Sequence, residues 1–154
     1  MWWTACIPMM SPLEIDMSLL LYSIPLLWAA VTDLRKRIIP DWTWIAILLI
    51  GVASAFLLSY PTLVQRIAGF LLPGLCLLLL AMKYGGVGGG DIKLTAAMGF
   101  CFGMNALAVI LFFALLPACV YAKVTKQKSI PLAVFLSIGF FIYVGALFIA
   151  ELIY

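Results

Sequence analysis

The chain has 154 residues, of which 67% are hydrophobic and 10% charged, with a formal net charge of +3 and a mean hydropathy of +1.25. A soluble domain carries about 45–50% apolar and about 25% charged residues, so this composition excludes a soluble globular protein and predicts one all-α, multi-pass membrane domain over residues 1–154. There is no histidine, which excludes HExxH zinc chemistry and His-assisted nucleophiles, and Cys6, Cys76, Cys101 and Cys119 form no CxxC pair.

In chain order, Met1 to Asp16 carries Trp2, Trp3, Glu14 and Asp16. Tryptophans at a membrane end suit the headgroup belt, and without a basic start the segment does not read as a signal peptide. The first span is predicted from about Met17 to Val31. Fifteen residues at ~1.5 Å each cover roughly 22 Å against a ~30 Å hydrocarbon core. Either flanking residues extend the helix, or Asp33 sits near the interface. Arg35-Lys36-Arg37 follow and read as cytoplasmic, and Ile38-Ile39-Pro40-Asp41 breaks the helix, because proline blocks its continuation. Trp42 to Ser59 is the second span. Tyr60 to Arg66 is a polar turn with one cation. Ile67 to Met82 is the third span, bent at Pro73-Gly74.

Gly85-Gly86-Val87-Gly88-Gly89-Gly90-Asp91-Ile92-Lys93 comes next. The run Leu94 to Ala122 has 29 residues, which a single helix would stretch to ~43 Å. Gly99, Gly103 and Asn105 offer a turn, giving a short fourth span and a fifth from about Asn105. Lys123, Lys126 and Lys128 mark a basic loop, and Ile130 to Ala150 is the sixth span. With six spans and both termini non-cytoplasmic, eight of the nine Lys and Arg residues are cytoplasmic and only Arg66 is not. Reading Leu94 to Ala122 as one helix would strand three lysines outside, against the positive-inside rule.

That topology sets Asp33 and Asp91 at one membrane face. Acids at membrane boundaries are costly and ask for a reason. Each has a structural alternative: Asp91 as the N-cap of the following helix, Asp33 as a helix-end acid paired with Arg35, Lys36 or Arg37. Asp41, after Pro40, reads as an N-cap. Lys93 either supports Asp91 or snorkels to the interface. The glycine loop fits neither GxGxxG nor GxxxxGK[ST], since Asp91 stands where the latter needs lysine. A small proton- or ion-coupled transporter is the alternative reading of two membrane aspartates, but it would favour acids deep within spans rather than at their ends.

Gly88-Gly89-Gly90-Asp91 spells GxGD, and the chain resembles the type IV prepilin peptidases, membrane aspartyl proteases of the GxGD class. The resemblance is carried by Asp33 with its basic residues and Ile39-Pro40, by Gly88-Gly89-Gly90-Asp91-Ile92-Lys93-Leu94 running into Ala96-Ala97-Met98-Gly99, and by Ile130-Pro131-Leu132-Ala133. It implies an aspartic endopeptidase with Asp33 and Asp91 catalytic and Gly88 and Gly90 shaping the active-site loop. The implied substrate is a prepilin or pseudopilin, cut at the cytoplasmic face of a bacterial inner membrane. The implied partners are that substrate and the bilayer, with no nucleic acid, no metal and no other cofactor. Asp41 stands where the family often has asparagine, and Val134 where proline is common. No cysteine-rich loop domain is expected, so cleavage without N-methylation is expected as well. Two close carboxyls share one proton; helix-end polarity predicts Asp91, at an N-terminus, as the anion and Asp33, at a C-terminus, as the acid.

Overall fold

The computed structural model describes residues 12–57, 61–84, 88–125 and 131–153. The Trp2-Trp3 segment, the loop residues before Gly88, and Lys126 and Lys128 lie outside the described residues. All described secondary structure is helical: α1 Pro12–Lys36, α2 Asp41–Leu57, α3 Leu63–Tyr84, α4 Gly89–Thr125 and α5 Leu132–Ile153. Among the described residues, three stretches are long and apolar enough to cross a membrane, Leu63–Lys83, Gly89–Tyr121 and Leu132–Ile149, while Asp41–Leu57 is a shorter apolar helix. The chain is a multi-pass membrane protein.

α1 runs past the expected Val31 and through Pro25, so Asp33 lies in its last turn. The helix stops where Arg37 takes a left-handed φ of 52°, its N–H donating to the Asp33 carbonyl at 2.9 Å. Glycine usually fills this position. Pro40 then ends the linker and serves α2, its carbonyl accepting both the backbone N–H (3.1 Å) and the hydroxyl (2.7 Å) of Thr43.

α3 opens on a capping box. The Thr62 N–H donates to Gln65 Oε1 at 3.2 Å and the Gln65 N–H to Thr62 Oγ1 at 3.5 Å, so two otherwise orphaned donors are met by the Thr-x-x-Gln spacing. The helix continues through Pro73. Proline has no N–H to give the carbonyl four residues back, and the carbonyl so released, Gly69 O, is where α4 approaches: a Cβ on Gly99 would collide with it. Two glycines thus let α3 and α4 touch backbone to backbone, the close crossing typical of membrane helices.

α4 is two helical pieces, 89–102 and 104–125, joined at Gly103 with φ 76°, ψ 171°. Only glycine adopts such angles readily. A Cβ on Gly99 would lie 3.0 Å from Leu107 Cδ2. In a straight helix residues eight apart are separated by ~12 Å along the axis, so the chain bends sharply here, at a position the run length and glycines predict. Residues 94–99 are buried without a break, which makes the first piece of α4 the centre of the molecule. Around it the core is built by Tyr22, Leu26 and Ala29 of α1, Ile47 of α2, Ile110 and Ala114 of the second piece, and Leu136 and Phe140 of α5. The outer faces, such as Leu71, Leu72, Leu75, Leu78 and Leu79 of α3, are exposed, as lipid-facing helices require.

Arg66 differs from its expectation as an external loop cation. It is 1% exposed. Its guanidinium donates to Pro61 O at 2.9 Å, to Gly51 O at 3.2 Å, to Ser54 Oγ at 3.1 Å and to Phe100 O at 3.5 Å, with the Phe100 ring 6.0 Å away. A buried guanidinium persists when its donors are matched, and these acceptors come from the end of α2, the start of α3 and the bend of α4. It pins the three together.

Candidate active site

Asp33 is 6% exposed and stands at two helix ends at once. It belongs to the last turn of α1, but its Oδ2 accepts the N–H of Ala133 at 3.2 Å. Ala133 is in the first turn of α5, where N–H groups lack intrahelical partners. The carboxylate therefore caps α5, a neighbouring helix. Burial works against the charged form of Asp33, and the Ala133 amide and the Arg37 charge oppose that cost.

Asp91 lies in the first turn of α4. Gly88 precedes that helix, its carbonyl accepting the N–H groups of Asp91 at 3.1 Å and Ile92 at 3.4 Å. Asp91 is thus inside the helix rather than its N-cap. A Cβ on Gly88 would lie 3.1 Å from Asp91 Oδ2, and one on Gly90 would lie 2.9 Å from Ile39 Cβ. Gly88 makes room for the carboxyl, and Gly90 for the linker between α1 and α2. Gly89 meets nothing within 4 Å.

Asp33 and Asp91, from different helices, are near enough to interact electrostatically. Their hydrogen bonding differs. Both receive a backbone donor, Asp33 from Ala133 and Asp91 from Gly88, which favours an anion, but Oδ1 of Asp91 is buried with no partner, which suits a neutral carboxyl. The unpartnered oxygen weighs against the assignment expected from helix ends. That expectation counts only the helix each residue belongs to, and Asp33 faces the N-terminus of another.

Lys93 turns away from Asp91. Its ammonium pairs with Asp41 Oδ1 at 3.0 Å and lies 5.4 Å from the Trp44 ring centre. The Trp44 indole N–H donates to the same oxygen at 2.9 Å. The Trp44 donor, followed by Lys93, holds the Asp41 carboxyl below the usual carboxylate range. Asp41 ties α2 to α4 rather than standing as the expected N-cap. Sequence reasoning missed the contact of the Ala133 amide, 100 positions from Asp33, and of Ile39 with Gly90, although both residues stand in stretches that carry the resemblance.

With two interacting carboxyls at one end of a helical bundle and a glycine turn beside them, the arrangement can share a proton and handle water at a peptide bond. Comparison with known proteins agrees in family. The chain is 35% identical over 126 residues to the prepilin leader peptidase/N-methyltransferase of Bacillus subtilis (strain 168), covering 74% of this chain and 49% of that protein. It is 38% identical over 80 residues to the preflagellin peptidase of Methanococcus maripaludis, covering 48% of this chain and 34% of that protein. The chain therefore spans half or less of the length of these relatives. No solved structure matches it. The sequence profile of the type IV leader peptidase family matches residues 20–123, a stretch that holds both aspartates, Gly88 and Gly90, and the chain belongs to that family.

Proposed function

We propose that this chain is an aspartic endopeptidase that removes the leader of a prepilin or pseudopilin at the cytoplasmic face of a bacterial inner membrane. The observation that carries the reading is the meeting of Asp33 and Asp91, from separate helices, within electrostatic reach in a family member without histidine. The carboxyl that holds the anion takes a proton from water as general base, and the protonated one donates to the scissile carbonyl. After attack the carboxyl now protonated passes its proton to the leaving amine as the C–N bond breaks, while a hydroxyl of the tetrahedral diol returns its proton to the other carboxylate, so the pair again holds one shared proton. Gly88 and Gly90, which leave room for the Asp91 carboxyl and for Ile39, let an extended substrate backbone approach the carboxyl pair.

In this reading residues 1–154 form one membrane domain with six spans and both termini non-cytoplasmic. Support comes from the bend at Gly103, which divides α4 into two pieces, and from the electrostatic contact of Asp33 with Asp91, which requires both at one end of the bundle. The test is cleavage in detergent by the purified protein of a prepilin carrying its leader, followed by mass spectrometry. Leader loss with the parent protein, and none with Asp33→Asn or Asp91→Asn, is expected. An inactive parent, or active variants, would overturn it.

A further inference from the structure

Among the described residues, two buried side-chain oxygens lack a hydrogen-bond partner, Asp91 Oδ1 and Thr95 Oγ1. Buried polar atoms without partners are rare, because desolvation without compensation is costly. These two lie four residues apart on one helix, hence on one face, and Cα–Cβ bonds tilt towards the helix N-terminus, so Thr95 leans towards the turn that carries Asp91.

Thr95 is fully buried, at 0% exposed. The usual resort of a helical hydroxyl is a carbonyl one turn back. Thr32 uses Trp28 O at 2.9 Å and Ala29 O at 3.0 Å, Ser54 uses Gly51 O at 2.8 Å, and Ser137 uses Val134 O at 2.7 Å. Thr95 does not. Threonine divides between two χ1 wells in a helix, so a single rotation can re-aim its hydroxyl without moving the backbone.

We propose that Thr95 is a positioning residue of the carboxyl pair, its hydroxyl donating a hydrogen bond to Asp91 Oδ1 in the working enzyme. One bond satisfies both orphaned atoms. It also gives the two oxygens of Asp91 separate tasks. Oδ1 is held inward by Thr95, while Oδ2, which lies against Gly88, is left for the proton shared with Asp33 and for the substrate. Nothing covalent changes in this step. A donor on Oδ1 orients the carboxyl and withdraws electron density from its carbonyl.

The consequence for rate rests on the proposed leader peptidase activity; the consequence for the Asp91 carboxyl does not. Thr95→Val is nearly isosteric and removes only the hydroxyl, and Thr95→Ser keeps it. Thr95→Val is expected to lower kcat about tenfold, the size of one net hydrogen bond, with KM unchanged, and Thr95→Ser to restore it. In infrared spectra of the purified proteins, the band that Asp91→Asn removes identifies the Asp91 carboxyl. That band is expected to move in Thr95→Val, to higher frequency where it is a carbonyl stretch, and to return in Thr95→Ser. If the parent cleaves no leader, the proposed function fails and the infrared comparison alone decides Thr95. A band that stays in place in Thr95→Val, or is displaced equally in Thr95→Ser, overturns the proposal.

Discussion

A carboxylate can be read wrongly from its own helix when a second helix begins in front of it. Asp33 closes α1, where the helix field opposes an anion, yet it receives the first-turn amide of α5, where the field favours one. Replacing either aspartate by asparagine keeps the volume and removes the titrating group. Leader cleavage should fall by at least about 10²-fold in Asp33→Asn and in Asp91→Asn, the range of general acid–base catalysis, while circular dichroism shows an unchanged helix content. Asp41 provides the contrast. Its pair with Lys93 is solvent-exposed, and exposed pairs contribute little. Asp41→Asn, which keeps an acceptor for the Trp44 indole, should leave cleavage within about fivefold of the parent. Because the Asp41 carboxyl is held below its ordinary value, its folded pKa is depressed. Its contribution is present above the unfolded value of about 3.9 and is lost as pH falls below that through the folded value. Thermal unfolding between pH 5 and pH 8 should therefore show no difference in pH dependence between the parent and Asp41→Asn. The identities of Asp33 and Asp91 are legible in the sequence because acids interrupt apolar runs there. Their hydrogen-bond environments are not, since Ala133 carries no chemical signal and contributes only a backbone amide.

Where helices approach most closely they meet at small residues, and the crossing of α3 with α4 is the sharpest case. An added methyl at Gly99 meets the Gly69 carbonyl, backbone that cannot swing aside. Gly99→Ala should cost on the order of 3 kcal/mol, the upper part of the overpacking range, and that loss exceeds the roughly 1 kcal/mol of helix propensity gained. Gly145, in α5, meets nothing within 4 Å, so Gly145→Ala should be neutral or raise stability by up to about 1 kcal/mol. Thermal unfolding in one detergent, with both variants beside the parent, checks the ordering. Arg66→Leu should destabilise strongly, since Gly51 O, Ser54 Oγ and Phe100 O lose a shared donor. The helix breaks at Pro40 and Gly103 follow from proline chemistry and from a run too long for one span. The Thr62-Leu63-Val64-Gln65 spacing of the capping box stands in the sequence, but reading Tyr60 to Arg66 as a polar turn passes over it, and α3 begins at Leu63 rather than Ile67. The burial of Arg66 is not, because an arginine beside a polar turn looks solvated until three other segments supply its acceptors.

For the whole molecule, the decisive quantity is how many times the chain crosses the bilayer. In a cysteine-free background, Lys36→Cys and Thr62→Cys should label from opposite faces, and Lys123→Cys from the same face as Lys36→Cys. Agreement of Lys123 with Thr62 instead would mean that α4 crosses once, and the six-span topology would fall. The polar contacts are also unevenly spread. At the Gly103 end, Arg66 binds three segments, and Pro61 and Gln65 pack against the bend. At the other end, the Lys93–Asp41 pair that ties α4 to α2 is solvent-exposed, and Asp91 has an unpartnered oxygen. The first piece of α4 is therefore a lever with a clamped fulcrum. From Gly103 to Asp91 its arm is roughly 18 Å, so a tilt of about 3° at the bend carries the carboxyl about 1 Å, and a displacement of about that size can cost 10²-fold in rate. In the proposed reaction the remote end, which touches no substrate, would thereby bear on the aim of the carboxyl pair.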